Sequence, residues 1–186
     1  LTGEEVIVAI GNTETMIEKL NKGEEGTIVV SKTPFYATMG GQKGDIGIIK
    51  TTDGVFEVTD TIKLPGDRVG HVGTCVEGFI ETGKKAELNV DTKTRAFTCK
   101  NHSATHLLQK ALQEVLGDSV HQKGSYQDPL RTRFDFSYGQ AMTAEQIAEV
   151  EKIVNDKIAE DLDVVTKVMG IEEAKATGAM ALFGQV

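Results

Sequence analysis

The sequence predicts an α+β protein in which a β-rich first half precedes a half that mixes helices with strands. Short runs of β-branched residues separated by Gly-rich turns fill the first half. From Ala104 onward, apolar residues recur at helical spacing instead. Strands followed by helices are typical of an α+β unit behind a β unit. We place the boundary near Val90–Thr94, which predicts one domain at residues 1–92 and a second at residues 93–186.

The first half is predicted to contain a short helix near Thr13–Asn21 and then strands spaced as in a small barrel or sandwich. The strands are Thr27–Ser31, Ile46–Thr51, Val55–Ile62, Arg68–Val76 and Lys85–Val90. Asp53-Gly54 indicates a tight hairpin, because both residues favour the positive φ angles of such turns. The composition of Leu64-Pro65-Gly66-Asp67 predicts a further turn.

The second half begins with a predicted amphipathic helix that ends at Gly117. Its apolar residues are Ala104, Leu107, Leu108, Ala111, Leu112, Val115 and Leu116. Arg131–Ser137 alternates like a half-buried strand, and Thr143 with Gln146 forms a capping box that opens a second helix. One face of that helix carries Ile147, Val150, Val154 and Ile158. The last two predicted elements are a strand at Val164–Met169 and a helix at Ile171–Thr177.

The composition excludes several classes of protein. Hydrophobic residues make up 39% and charged residues 26% of 186 residues, and the mean hydropathy is -0.19, as in folded chains. No apolar run approaches the roughly 18 residues that span a bilayer, and no secretory signal opens the chain. Two cysteines favour a reducing compartment, the cytoplasm. Because the chain begins with Leu1 rather than methionine, we expect a piece of a longer protein.

The net charge of -8 argues against a nucleic-acid partner, but its distribution argues for one. Residues 93–133 hold 7 basic and 3 acidic side chains, a balance of +4, between two flanks of -6 each. Because salt screens charges beyond about 10 Å, a local basic zone matters more to a polyanion than the total charge does. Ordinary fluctuation over a solvated surface is the alternative interpretation.

His102 and His106 stand four residues apart on the predicted helix, so about 40° separates them around its axis. Gln109 and Gln113 share their face, which lies far from the apolar residues. Two imidazoles so placed could bind one metal ion, although Ser103 stands where a helical zinc protease has its glutamate base. Two solvated or hydrogen-bonded histidines are the alternative.

A zinc ion normally takes three or four protein ligands, and Cys99 is a candidate for the third because it shares the histidines' helical face. Three side chains from one helix converge poorly on a tetrahedron, which counts against Cys99. Cys75 is expected in the core, and His71 is expected to be an exposed strand residue.

Two further stretches are rich in small and polar residues. Gly40-Gly41-Gln42-Lys43-Gly44-Asp45 lets the backbone approach a ligand closely, although on its own a plain turn before the next strand explains it better. His121-Gln122-Lys123-Gly124-Ser125 precedes Arg131 and Arg133. A basic loop with neutral donors suits a phosphate backbone, and a solvated loop between a helix and a strand is the alternative.

Five stretches, taken in order, resemble the editing region of alanyl-tRNA synthetases. They are Thr33–Gln42, Asn101–Leu108, Val120–Ser125, Leu130–Ser137 and Gly178–Gly184. Free-standing alanyl editing proteins share the glycine motif and the histidine pair, whereas the threonyl-tRNA synthetase editing domain shares the pair and resembles this chain less. The residues around Pro34 and Asn101 favour the alanyl-tRNA synthetase family.

The resemblance implies a small β-barrel followed by a two-layer α+β editing domain of the threonyl/alanyl-tRNA synthetase type, which hydrolyses tRNA(Ala) wrongly charged with serine or glycine. Editing is needed because an amino-acid pocket rejects a smaller or near-isosteric competitor poorly. By this match, the zinc ligands are His102 and His106. The catalytic and pocket residues are Thr105, Gln122, Gln42, Gly40, Gly41 and Ser125. Charge alone adds Lys123, Arg131 and Arg133 as contacts for the tRNA(Ala) acceptor end.

The resemblance also implies two more zinc ligands, a cysteine and a histidine four residues after it, in a downstream run that this chain does not reach before Val186. Two imidazoles without the thiolate make a weak zinc site. We therefore expect a half-formed site, little bound zinc and little editing activity from this chain without the remainder of its ATP-dependent synthetase. The alternatives are a tRNA-binding module without activity and a stand-alone trans-editing hydrolase.

Overall fold

The computed structural model describes residues 1–12 and 15–178. Strands dominate as far as Val90, and helices dominate after it. The strands of the first part are β1 (Thr2–Gly11), β2 (Met16–Ile17), β3 (Lys19–Asn21), β4 (Glu25–Val30), β5 (Gly47–Lys50), β6 (Gly54–Leu64), β7 (Arg68–Glu81) and β8 (Lys85–Val90). They are followed by α1 (Thr92–Leu116), β9 (Gln122–Gln127), β10 (Thr132–Phe136), α2 (Ala144–Ala159) and α3 (Ile171–Ala176). The predicted α+β class is confirmed.

Six of the strands close into an antiparallel barrel. Their order is β1-β4-β7-β6-β5-β8, and β8 pairs back with β1 in a register that places Thr2 opposite Asn89. The short strands β2 and β3 add to β1 and β7. Closure pairs the strand edges that would otherwise be exposed to other chains. Of the two architectures that the strand spacing allows, the barrel is the correct one.

The barrel is filled by large apolar side chains that strands on all sides direct inward. The fully buried ones include Ile7, Ile10, Ile28, Ile49, Phe56, Ile80 and Leu88. Cys75 lies in the same cluster, as predicted. Because a buried aliphatic or aromatic side chain contributes about 1.5–3 kcal/mol, this cluster makes a large contribution to the stability of the barrel.

The β5–β6 hairpin is present, but its turn differs from the one predicted. Neither Asp53 nor Gly54 has a positive φ. Instead the Thr51 hydroxyl accepts hydrogen bonds from the amides of Asp53 and Gly54, each at 3.1 Å. A glycine is required at position 54 because another strand approaches its backbone closely, and not because of its φ angle. An added Cβ would lie 2.5 Å from the carbonyl oxygen of Glu77.

Two predicted elements are wrong, and two strands, β1 and β9, have no predicted counterpart. Thr13 and Glu14 of the expected helix lie outside the described residues, and the rest of that stretch forms β2 and β3, where Leu20 is buried opposite Ile80. Residues 164–169 form no strand, and Val164, Val165 and Val168 are exposed, because no described strand lies beside them. The outer face of β1 carries Thr2, Glu4, Val6 and Val8, which are all exposed.

His71 is buried, whereas the sequence predicted an exposed strand residue. Its Nδ1 lies 2.8 Å from the carbonyl oxygen of Ile28, and its Nε2 lies 2.7 Å from the hydroxyl of Thr33. Nδ1 therefore donates to the carbonyl, and Nε2 of the neutral ring accepts from the hydroxyl. Burial lowers the pKa of His71. Its neutral ring ties the segment after β4 to the barrel wall.

We expect the free energy of unfolding to decrease as the pH falls below about 6.5, the pKa of an unfolded-state histidine. The folded pKa of His71 is lower, so the stabilising contribution is fully present above about pH 6.5 and is lost as the pH approaches the folded value. One such group gives a slope of at most about 1.4 kcal/mol per pH unit. Urea unfolding at several pH values should show this slope reduced in His71→Gln and kept in His121→Gln, which changes an exposed histidine. An unchanged slope in His71→Gln would refute the assignment.

Helix α1 begins twelve residues before the first apolar residue of its predicted stripe. Asp91 caps it, because the Asp91 carboxylate accepts from the Thr94 amide at 2.9 Å. Gly117 ends it with a φ of 100°, as predicted. The predicted capping box of α2 is also present, with Thr143 and Gln146 bonded reciprocally.

A second core lies where α1 and α2 pack against the β9–β10 hairpin. Its buried members are Ala111, Leu112, Val120 and Val150, and Phe134 and Phe136 pack against them. Ile147 and Ile158, predicted to share a face with Val150, are 53% exposed. The division into domains at residues 92 and 93 stays a prediction. None of the described helices is long and apolar enough to cross a membrane.

Candidate functional site

Three segments that are distant in sequence meet beside the middle of α1. They are the glycine loop (residues 40–45), strand β9, and the turn of α1 that carries the histidine pair. The Gln127 amide donates to the Gly41 carbonyl oxygen at 2.8 Å, and the Lys43 amide donates to the Gln127 carbonyl oxygen at 2.9 Å. These two bonds hold the glycine loop parallel to the end of β9. The glycine loop therefore contains a turn, closed by two backbone hydrogen bonds between Met39 and Gln42, and is also bonded to β9.

The histidine pair is compact. The rings of His102 and His106 are stacked, with centroids 5.2 Å apart and planes 20° from parallel. His102 Nδ1 lies 2.7 Å from Oε1 of Gln42, whose side chain is buried. Because an amide oxygen only accepts, Nδ1 carries the hydrogen, and Nε2 keeps its lone pair. Burial and the neighbouring His106 lower the pKa of His102, which favours the neutral ring.

The pair fits part of a zinc site. Neutral imidazole nitrogens are good zinc ligands, and two of them fill two of four tetrahedral positions. No group of three or more His, Cys, Asp or Glu side chains that could hold a metal occurs in residues 1–12 and 15–178. Cys99 stands two helical turns, about 10 Å along the axis, before His106. Cys99, the candidate third ligand, therefore lies outside any such group.

The predicted pocket residues Gly41, Gln122 and Ser125 are neighbours. An added Cβ at Gly41 would lie 2.5 Å from the carbonyl oxygen and 2.6 Å from Oγ of Ser125. Gln122 Nε2 donates to the same Oγ at 3.2 Å. Gln122–Gln127 is a strand paired with β10, so the prediction of a loop at His121–Ser125 is wrong. A strand holds these side chains more firmly than a solvated loop would.

Gly41→Ala is expected to damage the site more than Gly40→Ala. Both residues have a positive φ, 82° and 60°, which costs an alanine about 1 kcal/mol at either position. Only Gly41 also approaches Ser125, whereas nothing lies within 4 Å of an added Cβ at Gly40. The amide cross-peaks of Gly124, Ser125 and Gln127 in a ¹H–¹⁵N spectrum should shift in Gly41→Ala and stay in place in Gly40→Ala. Equal shifts in the two variants would contradict the close contact.

Thr105 is held inside the structure by a neighbour that the sequence did not reveal. Its hydroxyl donates to the Asn101 carbonyl oxygen at 2.8 Å and contacts the hydroxyl of Thr132 on β10. The buried stripe of α1 is largely polar there, with Thr98 and Gln109 also buried. On the face of α1 that carries the histidine pair, Gln109 is buried, His102 is half-buried and His106 is exposed. An apolar cavity of about 440 Å³ between α1, α2 and β10 contains none of the predicted site residues.

The three basic residues chosen from charge are exposed on the hairpin. Lys123 is on β9, and Arg133 is on β10 with its guanidinium 3.2 Å from the Asp135 carboxylate. Arg131 lies 3.6 Å from the Asp128 carboxylate and 5.7 Å from the centre of the Tyr126 ring. Neighbouring carboxylates thus offset two of the three charges, and the accessible guanidinium edges remain available to phosphate.

Sequence reasoning missed an ion pair between α1 and the glycine loop. Arg95 pairs with Asp45, whose side chain is 3% exposed, and the Arg95 Nε–Asp45 Oδ1 distance is 3.0 Å. Arg95 also donates to the carbonyl oxygen of Pro34 at 2.7 Å. The sequence marked Arg95 only as one of several basic residues, and no local pattern joins residues that stand 50 apart.

The first half of the chain matches a known protein family. The family model described as tRNA synthetases class II (A) matches residues 2–94, which cover the barrel and the start of α1. The chain belongs to this family of class II tRNA synthetases.

Within the family, the chain is similar to alanine–tRNA ligases. Alanine–tRNA ligase 1 of Lachnoclostridium phytofermentans is 52% identical over 179 residues, which are 96% of this chain and 20% of the relative. The Delftia acidovorans enzyme is 47% identical with the same coverage. The Rhodopseudomonas palustris enzyme is 46% identical over 99% of this chain and 21% of the relative. The chain spans about a fifth of the length of these relatives.

Proposed function

We propose that the chain is the editing portion of an alanine–tRNA ligase and that its site hydrolyses the ester bond of Ser-tRNA(Ala) and Gly-tRNA(Ala). The observation that supports this most is the 2.7 Å contact between Gln42 Oε1 and His102 Nδ1, which leaves the lone pair on Nε2 of the neutral ring. The polar side chains Thr105, Gln122 and Ser125 form what we call the polar wall, and an editing enzyme needs such groups to read the amino acid that the synthetic site accepts by error.

Zinc fits this proposal at His102 and His106, with two further ligands supplied from outside this chain. When bound, zinc would act as a Lewis acid toward the ester carbonyl or the attacking water. The chain's own contribution is orientation. Gln42 holds the His102 ring in one tautomer, and a partner that fixes the far nitrogen of a ligating histidine commonly raises metal affinity by 10- to 100-fold, about 1.4–2.7 kcal/mol.

The polar wall supplies the discrimination between serine and alanine. Thr105 donates to the Asn101 carbonyl oxygen and accepts from the Thr132 hydroxyl, so one lone pair of its oxygen is left to accept a hydrogen bond from the hydroxyl of serine. Gln122 can both donate and accept. Alanine has no hydroxyl, and the polar groups it leaves unpaired cost about 1–3 kcal/mol. The correctly charged Ala-tRNA(Ala) is spared by this difference.

Gln122→Leu in the complete synthetase should raise the level of Ser-tRNA(Ala). Leucine has a similar volume but loses both hydrogen-bonding groups, so the hydroxyl of the bound serine is left unpaired. Deacylation of radiolabelled Ser-tRNA(Ala) measures the effect, which we expect to be a decrease of about 10- to 100-fold. Alanylation of tRNA(Ala) by the same variant should be unchanged. Wild-type deacylation by Gln122→Leu would contradict the pocket assignment.

The proposal itself is tested by comparing two proteins for deacylation of Ser-tRNA(Ala). One is this chain, and the other is the chain extended through the cysteine and histidine that the family resemblance implies downstream. We expect stoichiometric zinc and rapid hydrolysis only from the extended protein. A tRNA-binding module is the second candidate, because Lys123, Arg131 and Arg133 are exposed on one hairpin. Salt-dependent tRNA binding by the extended protein without hydrolysis would favour that candidate.

A further inference from the structure

The glycine loop cannot hold its shape by itself. It contains glycines at positions 40, 41 and 44, and the first two have φ angles of 60° and 82°. Glycine backbones are the most free to move, so the position of Gln42 has to be set by contacts from outside the glycine loop. Those contacts come from the residues that precede the glycine loop, from α1, and from β9, where Gln127 makes backbone hydrogen bonds on both sides of Gln42.

The first of these contacts closes the base of a larger loop, Pro34–Asp45. The Tyr36 amide donates to the Asp45 carboxylate at 2.6 Å, and the Asp45 amide donates to the Tyr36 carbonyl oxygen at 2.9 Å. The Arg95 guanidinium binds both ends of this loop, the Pro34 carbonyl oxygen and the Asp45 carboxylate. A planar guanidinium with several N–H donors can do this, whereas an ammonium is a single point charge.

We call the contact of Arg95 with Pro34 and Asp45 the clamp, and helix geometry aligns it with His102. Arg95 precedes His102 by seven residues, which is two helical turns, so both side chains leave the same face about 10 Å apart. Gln42 precedes Asp45 by three residues, which span about 10 Å when extended. The glycine loop therefore meets α1 at two matched points, Asp45 on Arg95 and Gln42 on His102.

We propose that Arg95 and Asp45 are positioning residues for the editing reaction: their ion pair holds the glycine loop so that Gln42 fixes His102 as the Nδ1–H tautomer. The consequence for catalysis rests on the proposed function, whereas the effect on the tautomer does not. Arg95 touches neither substrate nor the reacting atoms. It acts through Asp45, the glycine loop and Gln42.

The tautomer of His102 can be read directly on this chain by two-bond ¹H–¹⁵N spectra at about pH 8, where free histidine is neutral. The peaks of His102 are assigned by their loss in His102→Asn. Wild-type chain should give a single Nδ1–H pattern, and Gln42→Leu should give a mixture of the two tautomers. A wild-type pattern of Nε2–H would overturn the proposal.

The clamp is tested with a charge-neutral pair of changes, Arg95→Met with Asp45→Asn, which leaves no isolated buried charge. We expect this double variant to show the same tautomer mixture as Gln42→Leu, with far-UV circular dichroism like that of the wild type. Arg95→Lys keeps the positive charge but loses the planar guanidinium that binds both ends of the loop. If the double variant does not fold, the tautomer of His102 in Arg95→Lys tests the clamp instead. Arg68→Met at the start of β7 is the matched control and should keep the single tautomer. A single Nδ1–H tautomer in both Arg95 variants would overturn the clamp.

Deacylation separates this inference from the proposed function. In the complete synthetase, the double variant should lower kcat for Ser-tRNA(Ala) by about 10- to 100-fold with KM unchanged, as expected for a partner that orients a reacting group. A rise in KM of the same size with kcat unchanged would mean a role in substrate binding and would overturn the positioning role. If the tautomer changes as expected while wild-type synthetase hydrolyses no Ser-tRNA(Ala), the clamp stands and the editing function fails.

Discussion

Replacing His102 and His106 together by alanine should lower the hydrolysis of Ser-tRNA(Ala) by the complete synthetase at least about 100-fold, which is about 2.7 kcal/mol of transition-state stabilisation. The two rings stack 5.2 Å apart and are the only histidines on the polar side of α1 among the described residues. Without them the site keeps its polar wall but has no nitrogen to hold a metal. The rate of alanylation should not change if, as proposed, this chain carries only the hydrolytic site.

His121→Ala is the matched control for the loss of a histidine. His121 is exposed, and only its backbone is bonded, to Ser137. Its loss should leave the deacylation rate within about twofold of wild type, since changes to exposed side chains outside cores, caps and hydrogen-bond networks have small effects. Zinc content measured on the same preparations should fall only in the double variant. Equal deacylation rates for the double variant and His121→Ala would remove the histidine pair from the mechanism.

The sequence predicts those features of the site that lie within one continuous segment of the chain. The spacing of His102 and His106 determines that their side chains share a helical face, and the stacked rings follow from it. The capping box at Thr143 and the stop at Gly117 are equally local and were also correct. Local patterns of this kind depend on helix geometry alone and not on the rest of the fold.

Contacts between distant segments could not be predicted, because no periodicity encodes them. Arg95 and Asp45 stand 50 residues apart, and Thr132 reaches Thr105 across 27 residues. His71 was expected to be exposed, and nothing in its own strand indicates the groups that bury it. Its burial depends on Thr33 and Ile28 arriving from another part of the barrel with a hydroxyl and a carbonyl group.

The barrel acts as the platform on which these segments meet. The long connection between β4 and β5 carries the glycine loop, and α1 begins directly after β8. The Asp91 amide donates to the Ile46 carbonyl oxygen at 2.9 Å, so the end of that connection and the start of α1 are fixed to each other. Any change that moves α1 relative to the barrel therefore also moves His102 relative to Gln42.

Arg95→Met should lower the free energy of unfolding by about 3–5 kcal/mol, which is the usual cost of leaving one member of a buried ion pair without its partner. The Asp45 side chain is 3% exposed and the Arg95 side chain 21% exposed, so water replaces little of the lost interaction. The Pro34 carbonyl oxygen loses a donor as well. Calorimetry should show a decrease in Tm of roughly 6–20 °C for a protein of this size.

The double change Arg95→Met with Asp45→Asn separates the isolated charge from the lost packing. A neutral asparagine still accepts from the Tyr36 amide through its side-chain oxygen and is far less costly to bury than a carboxylate. We therefore expect the double variant to recover more than half of the lost stability. Lys152→Met breaks the exposed Lys152–Asp156 pair on α2 and should cost less than about 1 kcal/mol. If the single and double variants were equally unstable, the stability would come from the packing of the arginine side chain and not from the ion pair with the glycine loop.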